Sequence, residues 1–259
     1  MTVINSISEK NPIFLGRKTH KNRLIQPTDT NMKAVFGNNN LEIMDNIRKA
    51  GKESGIDVFL FGGAVRDCLL NRRANDLDFI VNGDAIEFAK ELNEKNGNIF
   101  RGVFPKPSVK RAVVYTKNMD IDINTLTPDG TTVKGQDNIR KAMIKKLENN
   151  DFSVNSMVIK LDENKSGEMK LRFFDYLKGR RDLVKNQLRH NNTESFTDDP
   201  IKALRGLRLK LKYGMKFDTQ TNVLVKGLLK NPKVKKNKFY YRYIRECYRI
   251  AKELFKKLF

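Results

Sequence analysis

Tryptophan is missing from this chain, and cysteine, histidine and proline are scarce: two, two and seven among 259 residues. Cys68 and Cys247 are too few for a disulfide framework or a cysteine-ligated zinc site. With no secretory segment visible, they suit a reducing compartment. His20 and His190 lack the partners that a catalytic base or a metal cluster requires, so packing or surface roles are expected of them. No apolar run is long enough to cross a bilayer, and no internal repeat recurs, which excludes a membrane span and a solenoid. Acidic residues are also in deficit, with 30 Asp and Glu against 51 Lys and Arg, a formal charge of +21. Such a surface attracts phosphate, and binding to it should weaken steeply as salt rises. Asn and Ile are abundant too, as an A+T-rich coding sequence would make them, so only part of the basic bias is assigned to nucleic acid.

A chain of this length can bury a core and hold one large or two small domains. Residues 1–40 mix polar, basic and apolar side chains without sustained periodicity and read as a poorly ordered extension or as a segment lying on the head. Their Ser6, Ser8, Lys10, Arg17, Lys18, Lys21 and Arg23 are compatible with an organellar leader, but no amphipathic arginine-rich helix is evident. A cytoplasmic location is expected, with an organelle matrix as the alternative. From 41 to 190 strand and helix patterns alternate, which predicts a mixed β-sheet with flanking helices. Residues 191–259 turn helical, so the expected fold class is α+β with a short all-helical second domain. In a last helix over Lys238–Phe259, Tyr240, Tyr241, Ile244, Tyr248 and Leu254 are expected to pack inward.

The most informative stretch is Leu60–Phe79, LFGGAVRDCLLNRRANDLDF. Val58–Phe61 reads as a buried strand, and Gly62 and Gly63 then allow a tight turn over which a triphosphate can approach bare amides. A helix over about Ala64–Leu70 aims its unpaired N–H groups at that turn, with Arg66 one residue inside as a cationic fork and Asp67 beside it. Asp76 and Asp78 alternate with Leu77 and Phe79 in an extended run, so the two carboxylates share one face while the apolar pair enters the core. Paired hard oxygen ligands suit Mg²⁺, and a metal pair serves in-line phosphoryl displacement. Nucleotidyl transfer is the chemistry this pattern points to.

Leu60–Phe79 resembles the signature of the polymerase-beta-like nucleotidyltransferase superfamily, and specifically of the class II, bacterial-type tRNA CCA-adding enzyme and poly(A) polymerase family. Met119–Leu126 (MDIDINTL) looks like the strand carrying the family's third active-site carboxylate, with Asp122 the better match and Asp120 on the same face. A hairpin through Lys117 and Asn118 would pair that strand with Arg111–Thr116. Asp151–Met157 (DFSVNSM) resembles the family's ribose- and triphosphate-contacting stretch, which implicates Asp151 and Asn155. Asn149 and Asn150 stand where the family carries an arginine pair, and an amide cannot supply charge-assisted bidentate bonds, so Lys145 or Lys146 is expected to compensate. Phe174–Arg189 matches a structural element linking head to neck. Asp198–Asp218 resembles the helix whose Asp and Arg residues read the base edge and hold its phosphates; here these are Asp199, Lys202, Arg205 and Arg208. Asp198 and Asp199 are expected to cap that helix, with Pro200 in its first turn and Ile201, Leu204, Leu207 and Leu211 as its core face. Lysine at 202 replaces a planar fork with a point charge, which bears on discrimination between CTP and ATP.

The resemblance covers roughly residues 41–218. It implies a nucleotidyltransferase head followed by a helical neck and truncated body, two Mg²⁺ ions, and CTP and ATP as substrates. It also implies an RNA partner, most naturally a tRNA 3′ end. The implied activity is template-independent addition of CCA, or part of it. Poly(A) or other RNA tailing and a noncatalytic RNA-binding role are the alternatives. Family members continue through a longer body and tail, so either the positive charge of this chain or a protein partner or homo-oligomer is expected to offset what a short body lacks.

Overall fold

The computed structural model describes residues 29–230 and 240–258. Tertiary contacts divide the chain into two units, one formed by 1–146 with 157–176 and the other by 147–156 with 177–259.

The first unit is built on a seven-stranded mixed sheet. Its strands are β1 (Val58–Phe61), β2 (Leu77–Val81), β3 (Phe100–Lys106), β4 (Arg111–Thr116), β5 (Asp120–Thr125), β6 (Val158–Glu163) and β7 (Met169–Phe174), in the order β3-β4-β5-β2-β1-β6-β7. The β2–β5 pair is parallel and the others antiparallel. Period-2 alternation sorts the faces: Leu77, Phe79, Val81, Ile121 and Ile123 are all fully buried on one side of β2 and β5. Helix α3 (Ala85–Lys95) lies against β3, β4 and β5. Its start is local physics, because the Asp84 carboxylate accepts from the N–H groups of Ile86 and Glu87. Helix α2 (Gly63–Leu69) follows β1, and α4 (Gln136–Glu148) follows β5.

Of the two readings of residues 1–40, the poorly ordered extension does not hold over 29–40, which begin helix α1 (Asp29–Glu53) lying on the head against α2 and α3. Met32, Val35 and Phe36 are buried, and the helix is broken at Gly37, whose φ of 71° is left-handed. The break displaces the apolar period, which is why the sequence pattern looks irregular there. Residues 1–28 lie outside the described residues.

The second unit contains α5 (Gly179–Val184), α6 (Thr193–Asp198), α7 (Ile201–Tyr213), α8 (Thr219–Lys230) and α9 (Tyr240–Leu258), with a small parallel pair β8 (Gln187–Leu188) and β9 (Lys216–Phe217). It is therefore not all-helical, and its boundary falls at residue 176 rather than 190. The fully buried Asp182 explains the shift: it accepts from the Ser153 hydroxyl at 2.6 Å and pairs with Arg189 at 2.8 Å, tying 177–189 to the 151–156 segment.

Helix α7 starts differently from the expectation. Asp198 ends α6, Pro200 occupies the N-cap position, and no side chain caps the helix. Its end is the left-handed Gly214, with φ 70°. Ile201 and Leu204 are buried as expected, and Leu207 packs on them. Gly206 was not singled out, yet a β-carbon there would meet the Phe152 ring at 2.6 Å.

The inward face assigned to the last helix is corrected. Tyr240, Tyr241, Ile244, Tyr248 and Leu254 are exposed, Tyr241 by 86%. Tyr243, Cys247 and Ile250 instead pack against Ile201 and Leu204. Apolar side chains wrap more than half of α9, so periodicity alone permits either face. No helix among the described residues is long and apolar enough to cross a membrane.

Candidate active site

The glycine turn and the carboxylates meet at one end of β1 and β2. Gly62 has φ 78° and ψ −140°, a conformation that favours glycine, and a β-carbon on it would come 3.3 Å from Asp78 Oδ2. Phe61 is the register partner of Asp78 on one side, and Asp122 is its partner across the parallel β2–β5 pair. Paired residues on neighbouring strands share a face, so Asp78 and Asp122 project together beside the turn. Asp76 is exposed just before β2, and Asp120 is exposed at the start of β5.

Sequence reasoning missed Arg111. Its guanidinium Nη2 lies 2.8 Å from Asp122 Oδ1. The approach is not aligned as a hydrogen bond, since Asp122 Oδ1 and Arg111 Nε are buried atoms without one. The hairpin register was the available signal, because it puts Arg111 and Asp122 on one face two residues apart along it. Lys146 of α4 is close enough for Arg111 to matter: burial first, and then that guanidinium, lower its pKa. Lys145 is exposed.

Arg66 is buried and paired with its neighbour, donating to Asp67 Oδ1 from Nε at 3.0 Å and from Nη2 at 2.9 Å. Its Nη2 also lies 3.3 Å from the position of a Gly63 β-carbon, directly under the turn. Next to this pair, burial and then the Asp67 charge push the Cys68 thiol up to about 12, so it remains protonated.

Among the described residues, no group of three or more His, Cys, Asp or Glu side chains is gathered to hold a metal ion. Asp78 and Asp122 nevertheless fit a hard divalent cation. They are adjacent carboxylates on one sheet face, and the buried Asp122 Oδ1 lacks a hydrogen bond.

The candidate residues of the second unit are treated differently. Asp151 is buried; its Oδ1 accepts from the Phe152 N–H at 2.8 Å and the Asn155 amide at 3.0 Å, and Arg205 Nη2 stands 3.1 Å from Oδ2. Burial alone would raise its pKa, but the Arg205 guanidinium, then the Asn155 and Phe152 donors, hold the carboxyl below its ordinary value. Lys202 is buried as well and donates to the Asn149 carbonyl at 2.7 Å, with its ammonium over the Phe196 ring. Burial is the main cause of its lowered pKa, opposed by the charges of Asp199 and Asp151. Asp199 accepts from Arg242 at 2.6 Å. Arg208 donates to the buried Glu246 at 3.0 Å, and Glu246 also takes Arg249 at 2.9 Å. The stripe expected on α7 is thus engaged by internal partners, and Arg242 and Glu246 carried no signal in the sequence reading. His190 sits between the hydroxyls of Thr221 and Thr193, a packing role as expected.

Residues 58–189, just over half of the chain, match the model of the poly A polymerase head domain. An A-adding tRNA nucleotidyltransferase of Halalkalibacterium halodurans is 28% identical over 194 residues, covering 73% of this chain and 44% of that protein. The Aquifex aeolicus protein of the same name is 32% identical over 180 residues, or 67% of this chain and 21% of its own length. The chain therefore spans less than half of these curated relatives. Among solved structures, the Thermotoga maritima CCA-adding enzyme complexed with tRNA superposes with a TM-score of 0.65 at 27% identity, covering 81% of this chain and 46% of that one. The mixed sheet with flanking helices is the nucleotidyltransferase fold, and the chain belongs to the class II family of CCA-adding enzymes and poly(A) polymerases that share this head domain.

Proposed function

We propose that this protein is a template-independent RNA nucleotidyltransferase that adds CCA, or part of it, to tRNA 3′ ends from CTP and ATP. The observation that carries the reading is the register pairing of Asp78 with Asp122 beside the Gly62–Gly63 turn. The reaction joins the RNA 3′ oxygen to the α-phosphorus of a nucleoside triphosphate and releases pyrophosphate. Asp76, Asp78 and Asp122 are the residues to hold Mg²⁺, which when bound lowers the charge barrier between the attacking oxygen and the triphosphate. The turn into α2 suits the triphosphate, because helix N-termini carry unpaired N–H groups. Asp67 holds Arg66 with its guanidinium under Gly63, next to that turn. Arg111 stands 2.8 Å from Asp122, a partner that a metal ion held by Asp122 would replace. In the second unit, Asp151, Asn155, Asp199, Lys202, Arg205 and Arg208 are assigned to nucleotide recognition. Lys202, Asp199, Arg205 and Arg208 each hold an internal partner, so nucleotide recognition by this stripe requires those partners to be exchanged or shared.

Poly(A) addition is the second reading, favoured by the name of the matching head-domain family. Incorporation by purified protein with Mg²⁺ separates the readings, using tRNA ending before CCA, tRNA ending in CC, and an unstructured RNA, each with CTP or ATP. Two C additions and one A support CCA synthesis, and a single A on the CC end alone supports A addition. Repeated A on any RNA supports the second reading. Binding without incorporation overturns both.

A further inference from the structure

The face of the sheet that carries Asp78 and Asp122 does not end with them. Register runs from Asp78 to Asp122, then to Val113 of β4 and Phe104 of edge strand β3. The neighbouring rung runs from Asp120 to Tyr115 and Gly102, and the next from Asn124 to Arg111 and Lys106. Residues paired in this way lie on one face, so Phe104, Tyr115 and Lys106 share the surface of the carboxylates. Phe104 is 53% exposed and Tyr115 40%, on a sheet whose other face is closed by α3. Gly102 leaves the flank of Tyr115 open, since even a β-carbon there would reach only 3.9 Å from the ring. Lys106 Nζ lies 5.9 Å from the centre of the Phe104 ring.

We infer that this aromatic shelf on β3 and β4 stacks the bases of a single-stranded RNA 3′ end and feeds it to the carboxylates. The inference rests on the nucleotidyltransferase reading and names the path of its acceptor. Charge favours RNA. Residues 100–119 contain Arg101, Lys106, Lys110, Arg111 and Lys117 and no acidic residue; of these, Lys110 is met by Asp84 and Arg111 by Asp122, and Lys106 lies on the shelf's own face. Aromatic faces beside a basic track are the usual way to bind single strands, because every base has a face to stack while phosphates take the cations. Spacing agrees: Phe104 is two strands from Asp122, roughly 10 Å, which is about three stacked nucleotides at ~3.4 Å each. A protein strand added to this edge is disfavoured, since Pro105 removes a ladder donor from β3 and cationic side chains flank it.

The test compares wild type with Phe104→Ala, Tyr115→Ala and Phe104→Tyr. Short single-stranded RNA carrying 2-aminopurine near its 3′ end reports stacking as fluorescence quenching, and incorporation kinetics report KM. Each alanine variant should raise the KM for RNA about tenfold, reduce the quench, and leave the KM for nucleotide within about twofold, whereas Phe104→Tyr should behave as wild type. Unchanged quench and unchanged RNA KM in folded alanine variants overturn the shelf while leaving the enzymatic reading intact. Self-association of wild type that Phe104→Ala abolishes, with RNA KM unchanged, overturns it in favour of a protein partner. If wild type incorporates nothing, the enzymatic reading falls, and the quench alone still decides whether the shelf binds RNA.

Discussion

The candidate carboxylates of the first unit and the candidate charges of the second are held in opposite ways. In the first, Asp76 and Asp120 are exposed and Asp78 is only half-buried at the end of a strand. In the second, Asp151, Lys202 and Glu246 are buried and each is met by a partner of opposite charge or by a carbonyl. A charge with solvent access can change partners at modest cost, as binding and release of a cation require. A buried charge is held by what compensates it, and removing that compensation is expensive. Substitutions in the first group should therefore appear as lost activity, and in the second as lost stability before anything else.

The sharpest break of that comparison is Asp78→Ala. Incorporation should fall by about 10³-fold, the loss of several kcal/mol of charge stabilisation, while the melting temperature and RNA binding stay close to wild type. Surviving turnover in a primer-extension assay would remove Asp78 from the metal site. Next is Gly206→Ala, whose methyl has no room against Phe152 and Phe217. It should destabilise by about 1–3 kcal/mol, seen as an earlier urea midpoint, with no direct effect on the carboxylates of the first unit.

Arg205→Ala sharpens the comparison through pH. The folded pKa of Asp151 is lowered, so its ionised form contributes stability that is present above the unfolded aspartate value of about 3.9 and lost as pH falls through the folded pKa. Removing Arg205 should cost roughly 1–3 kcal/mol near neutrality, discounted because its own side chain is part-exposed, and distinctly less in acid below the folded pKa of Asp151. Equal losses at both pH values in denaturant titrations would mean that Arg205 acts by packing instead. The smallest effect belongs to α9: Tyr248→Ser should stay within about 0.5 kcal/mol as a surface change, whereas Tyr243→Ala should exceed it. Reversal of that order would restore the face first read from the sequence.

Much of the head was legible because its signals are local. Val58–Phe61, the two glycines and the Leu77–Phe79 alternation each follow from backbone preference and a period of two and lie where they were expected, whereas Asp76 falls just before β2 instead of within it. The hairpin through Lys117 and Asn118 was equally readable, and its register contains Arg111 for anyone who carries the alternation across the turn. The second unit was read less well. Asp182 was assigned to a linking turn, and nothing near it in sequence announces that Ser153 and Arg189 converge on it. The internal engagement of Asp199 and Arg208 by α9 was invisible for the same reason.

The sequence by itself determined where the chain turns, which residues alternate between core and surface, and which family carries these motifs, because those properties depend on neighbours a few residues away. Tertiary structure decided which carboxylate faces Asp78, which arginine restrains Asp122, and which half of α9 is covered. It also decided that Phe104 and Tyr115 extend the carboxylate face. Those outcomes depend on packing between segments far apart in the chain, where a helix with a broad apolar arc or a strand with two usable faces leaves more than one arrangement open until its neighbours exclude the rest.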